Sequence, residues 1–285
     1  MEVGGGTAVG AGTAVGPGEG LTVEDRDLGT AVGTGAGTAV GIGDGTAGVA
    51  GVSVGRRPQG SVRARGNSLP WALERAETRL MADMGAFREA VTAWAAGGPG
   101  APARELAARL SVRAAVLLEG PSDEAAVGAL AAGRGRDLEA EGVCVLPMGG
   151  AMNVGRFAGL LGPAGLGLRL TGLCDERERP YYARGWERAG AAQHGFFVCA
   201  ADLEDELIRA LGVTRVAELV RAEGDLRALK TFLRQPAQRG RTAQQQLRRF
   251  LGTKKGRKIH YGRVLVEALD PDRTPAPLDG LLTSL

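Results

Sequence analysis

Four short apolar runs constrain this chain more than anything else in it: Ala114–Leu118, Val143–Leu146, Leu168–Cys174 and Phe196–Cys199. Each is too short for a stable helix. Helical patterns over Pro121–Ala132 and Asn153–Leu161 separate the first three. A strand without a polar face must be covered on both sides, and strands alternating with helices do this as a parallel sheet between two helical layers. The crossovers should be right-handed. The expected fold class is therefore α/β and Rossmann-like, with about four mostly parallel strands and flanking helices. Upstream, Ser68 is a plausible N-cap and Pro70 a first-turn residue. Leu73, Leu80, Met84, Phe87, Val91 and Trp94 then recur at three- and four-residue steps, predicting one long amphipathic helix. Gly97-Gly98-Pro99-Gly100 ends it, and a short helix over Ala103–Leu110 follows. Downstream, helices are expected over Asp202–Leu211, Val216–Glu223, Leu226–Leu233, Ala243–Leu251 and Lys258–Leu269.

The first 60 residues have a different grammar. They hold 19 of the 47 glycines, about a third of the segment against a background of roughly 7%. Gly-Thr-Ala-Val-Gly begins at Gly6, Gly12, Gly29 and Gly37, with a decayed copy at Gly45. The irregular spacing excludes a solenoid. One valine per pentamer buries too little to offset the backbone entropy of glycine, so a disordered Gly-rich leader is expected over 1–66. Residues 67–111 then form a helical segment, 112–212 the α/β core and 213–285 a basic helical C-terminal extension.

Several classes drop out. There is no Gly-X-Y period, and three cysteines in 285 residues cannot staple a disulfide scaffold. Cys144, Cys174 and Cys199 fall inside the apolar runs, where free cysteine serves as a small hydrophobe. No apolar run is long enough to cross a membrane, and no secretory signal opens the chain. A cytoplasmic location is the default expectation. The only lysines are Lys230, Lys254, Lys255 and Lys258, and no Gly-x-x-x-x-Gly-Lys-Ser/Thr occurs.

Acids cluster where parallel sheets bind ligands, at the carboxyl ends of strands. The first run leads into Glu119-Gly120-Pro121-Ser122-Asp123, the third into Asp175-Glu176-Arg177-Glu178, and the fourth is followed by Asp202-Leu203-Glu204-Asp205-Glu206. A carboxylate ending a buried strand is costly unless paired, solvated or holding a cation. Convergent carboxylates suit Mg2+, and two such ions can clamp a phosphodiester. Plainer roles stay open: Asp123 as a first-turn helix acid, Asp202 as an N-cap with Glu206 solvated, Glu178 as a surface acid. Charge is also uneven. The formal +3 conceals an acidic leader and a stretch, Arg234–Arg263, with ten basic residues and no acid. Arg248, Arg249, Lys254, Lys255 and Arg257 in that stretch are candidate nucleic-acid contacts, to the backbone rather than to bases because aromatics are few. His260 reads as structural or a phosphate contact rather than a metal ligand.

The ordered set of motifs resembles the TOPRIM domain, and most closely the OLD-type TOPRIM. Glu119-Gly120-x-x-Asp123 follows the first strand and Pro147-Met148-Gly149-Gly150-Ala151-x-Asn153-Val154 the second. Asp175 follows the third, Leu203-Glu204-x-x-Leu207 the fourth, and Gly256-Arg257-Lys258-Ile259-His260-Tyr261 precedes the last helix. The resemblance covers roughly residues 112–270. It implies an Mg2+- or Mn2+-dependent endonuclease on nucleic acid, with DNA the expected substrate. Glu119 would be a metal ligand or general acid/base, Asp123 and Asp175 metal ligands, Glu178 and Glu204 auxiliary ligands, and Lys258 the cation on the phosphate. Two features depart from the family. Arg177 stands where it has a second aspartate, and a helix and leader stand where OLD proteins carry an ATPase, so ATP dependence would need a separate partner chain. The competing expectation is a degenerate TOPRIM acting as a non-catalytic nucleic-acid-binding or adaptor module. Polymerising nucleotidyl transfer, as in primases, has no nucleotide-specific motif behind it.

Overall fold

The computed structural model describes residues 20–21, 70–191 and 195–285. The expected leader, 1–66, lies outside the described residues apart from Gly20 and Leu21. Leu21 donates its backbone N–H to Gln246 Oε1 at 3.0 Å and packs, partly buried, against the core.

Four strands form one parallel sheet: β1 (Ala114–Leu118), β2 (Val143–Pro147), β3 (Arg169–Asp175) and β4 (Phe197–Cys199), in the order β2-β1-β3-β4. Every residue of β1 is buried, as a strand covered on both faces requires. Its side chains alternate between two cores. Ala114, Val116 and Leu118 face one layer, with α3 (Pro121–Gly133), α6 (Leu203–Leu211), α7 (Val213–Ala222), α8 (Leu226–Leu233), α9 (Ala243–Leu251), α10 (Lys255–Glu267) and α11 (Ala276–Thr283). Ala115 and Leu117 face the other, with α1 (Pro70–Ala95), α2 (Ala101–Arg109), α4 (Val154–Leu161) and α5 (Arg179–Arg188). The three cysteines are free and buried, and burial pushes the Cys144 and Cys174 thiols up to about 12, as suits hydrophobes.

The chain leaves β1 towards β2 on one side and comes back to β3 on the other. The crevice between the carboxyl ends of β1 and β3 is therefore the topological switch point, where open sheets of this kind take their ligands. At the opposite edge Arg113 and Arg169, beside the starts of β1 and β3, both donate to the backbone oxygen of Leu285.

Four elements differ from the sequence reading, α7 by beginning at Val213 rather than Val216. The last long helix begins at Lys255, not Lys258, which sets Lys258 at the end of its first turn. α11 follows the last expected helix and packs on β3 and β4. α5 stands between β3 and β4, where no helix was expected. Its sequence is mostly polar, and Tyr182, Gly185 and Trp186 are all that it buries.

Two glycines set the close approaches that frame the crevice. A Cβ on Gly172 of β3 would lie 2.8 Å from the Leu117 carbonyl oxygen and 3.0 Å from Tyr182. Its absence lets Tyr182 donate its hydroxyl to that carbonyl and stack on Trp186. On α10, a Cβ at Gly262 would meet the Ser122 carbonyl oxygen at 2.7 Å, so backbone touches backbone where α10 crosses the first turn of α3.

Candidate metal centre

Short turns hold each acid at the switch point. Beyond β1, Gly120 is the N-cap of α3 and donates its N–H to Asp123 Oδ2 at 3.0 Å. The loop after β2 is laced to the same place: Gly150 donates to the Glu119 carbonyl at 3.0 Å and Met148 to that of Leu118 at 2.9 Å. Gly149 and Gly150 make this turn at φ of 72° and 124°. Beyond β3, Glu178 donates its N–H to the Asp175 carbonyl at 2.9 Å, a tight turn that swings its side chain back over the strand end.

The result is one group of three carboxylates. Ligand oxygens of Glu119, Asp175 and Glu178 lie within 4.8 Å of one another. Desolvation, then the charges of Asp202, Glu178, Asp123 and Glu119, push Asp175 up to about 8. Desolvation and a hydrogen bond shared with Glu119 push Glu178 up to about 7. Glu178 Oε2 is buried with no hydrogen-bond partner. Burial and mutual repulsion thus disfavour the charged form of both acids.

Asp123 and Glu204 stand beside this group and share Lys258. Burial pushes Asp123 up to about 6 against the pull of Lys258 and the Gly120 N–H. Glu204 is buried, 3.4 Å from Lys258 Nζ, and desolvation pushes it up to about 7 despite that lysine. Burial would lower the Lys258 pKa, but Glu204, Asp123 and Asp175 outweigh it and hold the ammonium above the ordinary lysine value. A cleft of about 280 Å3 between the α3 N-terminus, the Gly149–Gly150 turn and α10 is lined by Glu119, Asp123, Lys255 and Lys258.

The remaining acids go elsewhere. Asp202 caps α6 through the Asp205 N–H at 2.9 Å and pairs with Arg248 at 2.6 Å. Glu206 is not solvated as the plain reading had it. It is buried, accepting the Ala200 N–H and pairing with Arg209, because α6 turns that face onto the sheet edge. The basic candidates also divide. Lys254 and Lys255 are exposed at the start of α10. Arg257 is held inside by Asp225 and Thr253 and lies 4.2 Å above the Phe250 ring. His260 pairs with Glu223 at 2.7 Å. Arg248 and Arg249 line a second cleft with Arg177 and Arg241. The last two were not among the sequence candidates, and the acid-free stretch 234–263 was the one signal pointing to Arg241.

Residues 112–176 match the family model of the overcoming lysogenization defect protein-like TOPRIM domain. The chain carries an OLD-like TOPRIM domain. The matched stretch runs from β1 through Asp175, so it contains Glu119, Asp123 and Asp175 and stops short of Glu178, Glu204 and Lys258. Among solved structures, the chain is similar to the C-terminal region of the Xanthomonas campestris pv. campestris OLD protein. The two are 25% identical, with a TM-score of 0.46 over 60% of this chain and 93% of that one. The C-terminal region of the Burkholderia pseudomallei OLD protein is 21% identical, with a TM-score of 0.46 over 60% of this chain and 96% of that one. No curated protein matches the chain.

Proposed function

We propose that this chain is a divalent-cation-dependent phosphodiester hydrolase acting on nucleic acid, with DNA as the substrate to test first. One observation carries the reading: three carboxylates converge at the switch point, one with a buried oxygen lacking any partner, beside a lysine kept charged. The residues fit Mg2+ or Mn2+. Oxygens bound to one such ion at ~2.1 Å lie about 3–4 Å apart, so a small closure of the group suffices. Glu119, Asp175 and Glu178 would hold the ion, with Asp123 and Glu204 as auxiliary acids. Bound there, it supplies Lewis acidity towards a phosphoryl oxygen and lowers the pKa of a coordinated water.

The chain's own residues supply the rest. Lys258 places a fixed positive charge in the cleft, where negative charge grows on the phosphate. Glu204 and Asp123 keep that ammonium protonated and aimed inward. Asp123 also braces the Glu119 loop through the Gly120 N–H. Lys254, Lys255 and Arg249 are suited to the nucleic-acid backbone; Arg248 is already paired and Arg257 is internal.

The alternative, a non-catalytic binding module, drew its support from Arg177. That residue lines the arginine cleft, with Asp202 as the acid beside it, and is not part of the carboxylate group. The deciding experiment is nicking of supercoiled plasmid with Mg2+ or Mn2+, wild type against Glu119→Gln. Metal-dependent nicking lost in the variant supports the hydrolase. Equal backgrounds, with no calorimetric heat from either metal, leave the binding module.

A further inference from the structure

Outside the carboxylate group, the strongest unspent chemistry is a cleft of about 570 Å3 between the β3–α5 loop and α9, ending at the Gly252–Thr253 turn. Four guanidiniums line it: Arg177, Arg241, Arg248 and Arg249. Its one lining acid, Asp202, is taken by Arg248 and by the α6 cap. Arg241 uses Nε on the Ala237 carbonyl at 2.8 Å and pairs with no acid among the described residues. Arg177 and Arg249 have no ion pair or hydrogen bond among the described residues. Three guanidiniums thus line one space with no acid paired to them among the described residues. Like charges gathered this way repel one another until an anion enters.

We propose that this cleft is a phosphate-binding subsite, seating the backbone of a bound nucleic acid immediately beside the carboxylate group. The guanidinium fork matches the oxygens of a phosphodiester, and several forks around one space favour a polyanion over a single carboxylate. Location fits as well: Arg177 sits between Asp175 and Glu178 in one loop, which sets the cleft next to the carboxylates. The cleft reads backbone, not bases. Its one lining aromatic, Phe232, is 8% exposed and packs edge-on against Phe250, which leaves no ring face for stacking. This assignment rests on the hydrolase reading only for the identity of the polyanion.

The test is a fluorescence-anisotropy titration of the full chain with a labelled DNA duplex, in EDTA, over a range of salt. Wild type is compared with Arg177→Gln/Arg249→Gln, whose side chains are unpaired and so can be changed without breaking the fold. Arg184→Gln/Arg188→Gln on α5, in the opposite layer, removes the same charge elsewhere. The cleft pair is expected to weaken binding about tenfold or more at low salt and to flatten the slope of log K against log salt by about 2, near 0.9 for each lost phosphate contact. The α5 pair should stay within about twofold of wild type. Unchanged affinity and slope in the cleft pair, or an equal loss in the α5 pair, overturns the subsite. So does an acidic polyglutamate peptide that competes as well as DNA. Because metal is absent, the result is independent of whether the carboxylates support cleavage, which plasmid nicking decides separately.

Discussion

Lys258 is a cation on which three acids converge: Glu204 at 3.4 Å, with Asp123 and Asp175 close enough to raise its pKa. Replacing it by Met should cut metal-dependent turnover by about 100- to 1000-fold, the cost of losing one electrostatic stabiliser of the transition state. It should also raise the Glu204 pKa further, readable by carboxyl NMR. The acids make a second expectation. Asp123, Asp175, Glu178 and Glu204 all have folded pKa values above the ordinary carboxylate range. The folded protein therefore binds more protons than the unfolded chain between about pH 4 and about pH 8, and stability must fall as pH rises through that window. Glu141 and Asp225, lowered by Arg136 and Arg257, act in the opposite sense, but only as pH falls through the ordinary carboxylate range. Thermal melts of metal-free protein should give a higher Tm near about pH 5 than near about pH 8. Mg2+ or Mn2+ should recover most of the difference at the higher pH and little at the lower, where the ion must displace protons. Glu119 and Asp175 were legible in the sequence because an acid ending an apolar strand has few inexpensive explanations. That Glu178 joins them, while Glu204 turns to Lys258, depends on the Glu178–Asp175 turn and the pitch of α6, and no residue pattern encodes either plainly.

At the scale of elements, the crossing of α10 over α3 decides where Lys258 points. Gly262 lies one helical turn beyond it and touches the Ser122 carbonyl. Gly262→Ala should push the helices apart, at a cost of about 1–3 kcal/mol in denaturant melts, and should lower cleavage more than DNA binding. Gly256→Ala in the same helix meets no atom within 4 Å and should be neutral or slightly stabilising, which separates crowding from helix propensity. Strands were the most legible elements, because a continuous apolar run of five or so residues has little else to become. α5 was the least legible. It buries one narrow stripe, Tyr182 to Trp186, and Gly185 contributes only by letting α4 approach at Gly155, so its periodicity is masked by four charged residues, Arg179, Arg184, Glu187 and Arg188, in ten.

At the scale of the molecule, the C-terminal helices form one wall of the fold. Tyr261, Val264, Leu265, Leu278 and Leu281 share a core with Val116, Leu118 and Leu173. A chain cut after residue 212 should therefore expose that face of the sheet, bind the dye ANS and lose its cooperative melt, whereas a freely appended extension would come away without loss. The held C-terminus has a practical consequence. Leu285 is fixed by Arg113 and Arg169 at the edge where β1 and β3 begin, and the seven residues of β3 at ~3.3 Å each separate it from the acids by about 20 Å. A fluorophore or affinity tag fused there would report on the molecule from behind, leaving the carboxylate crevice unobstructed.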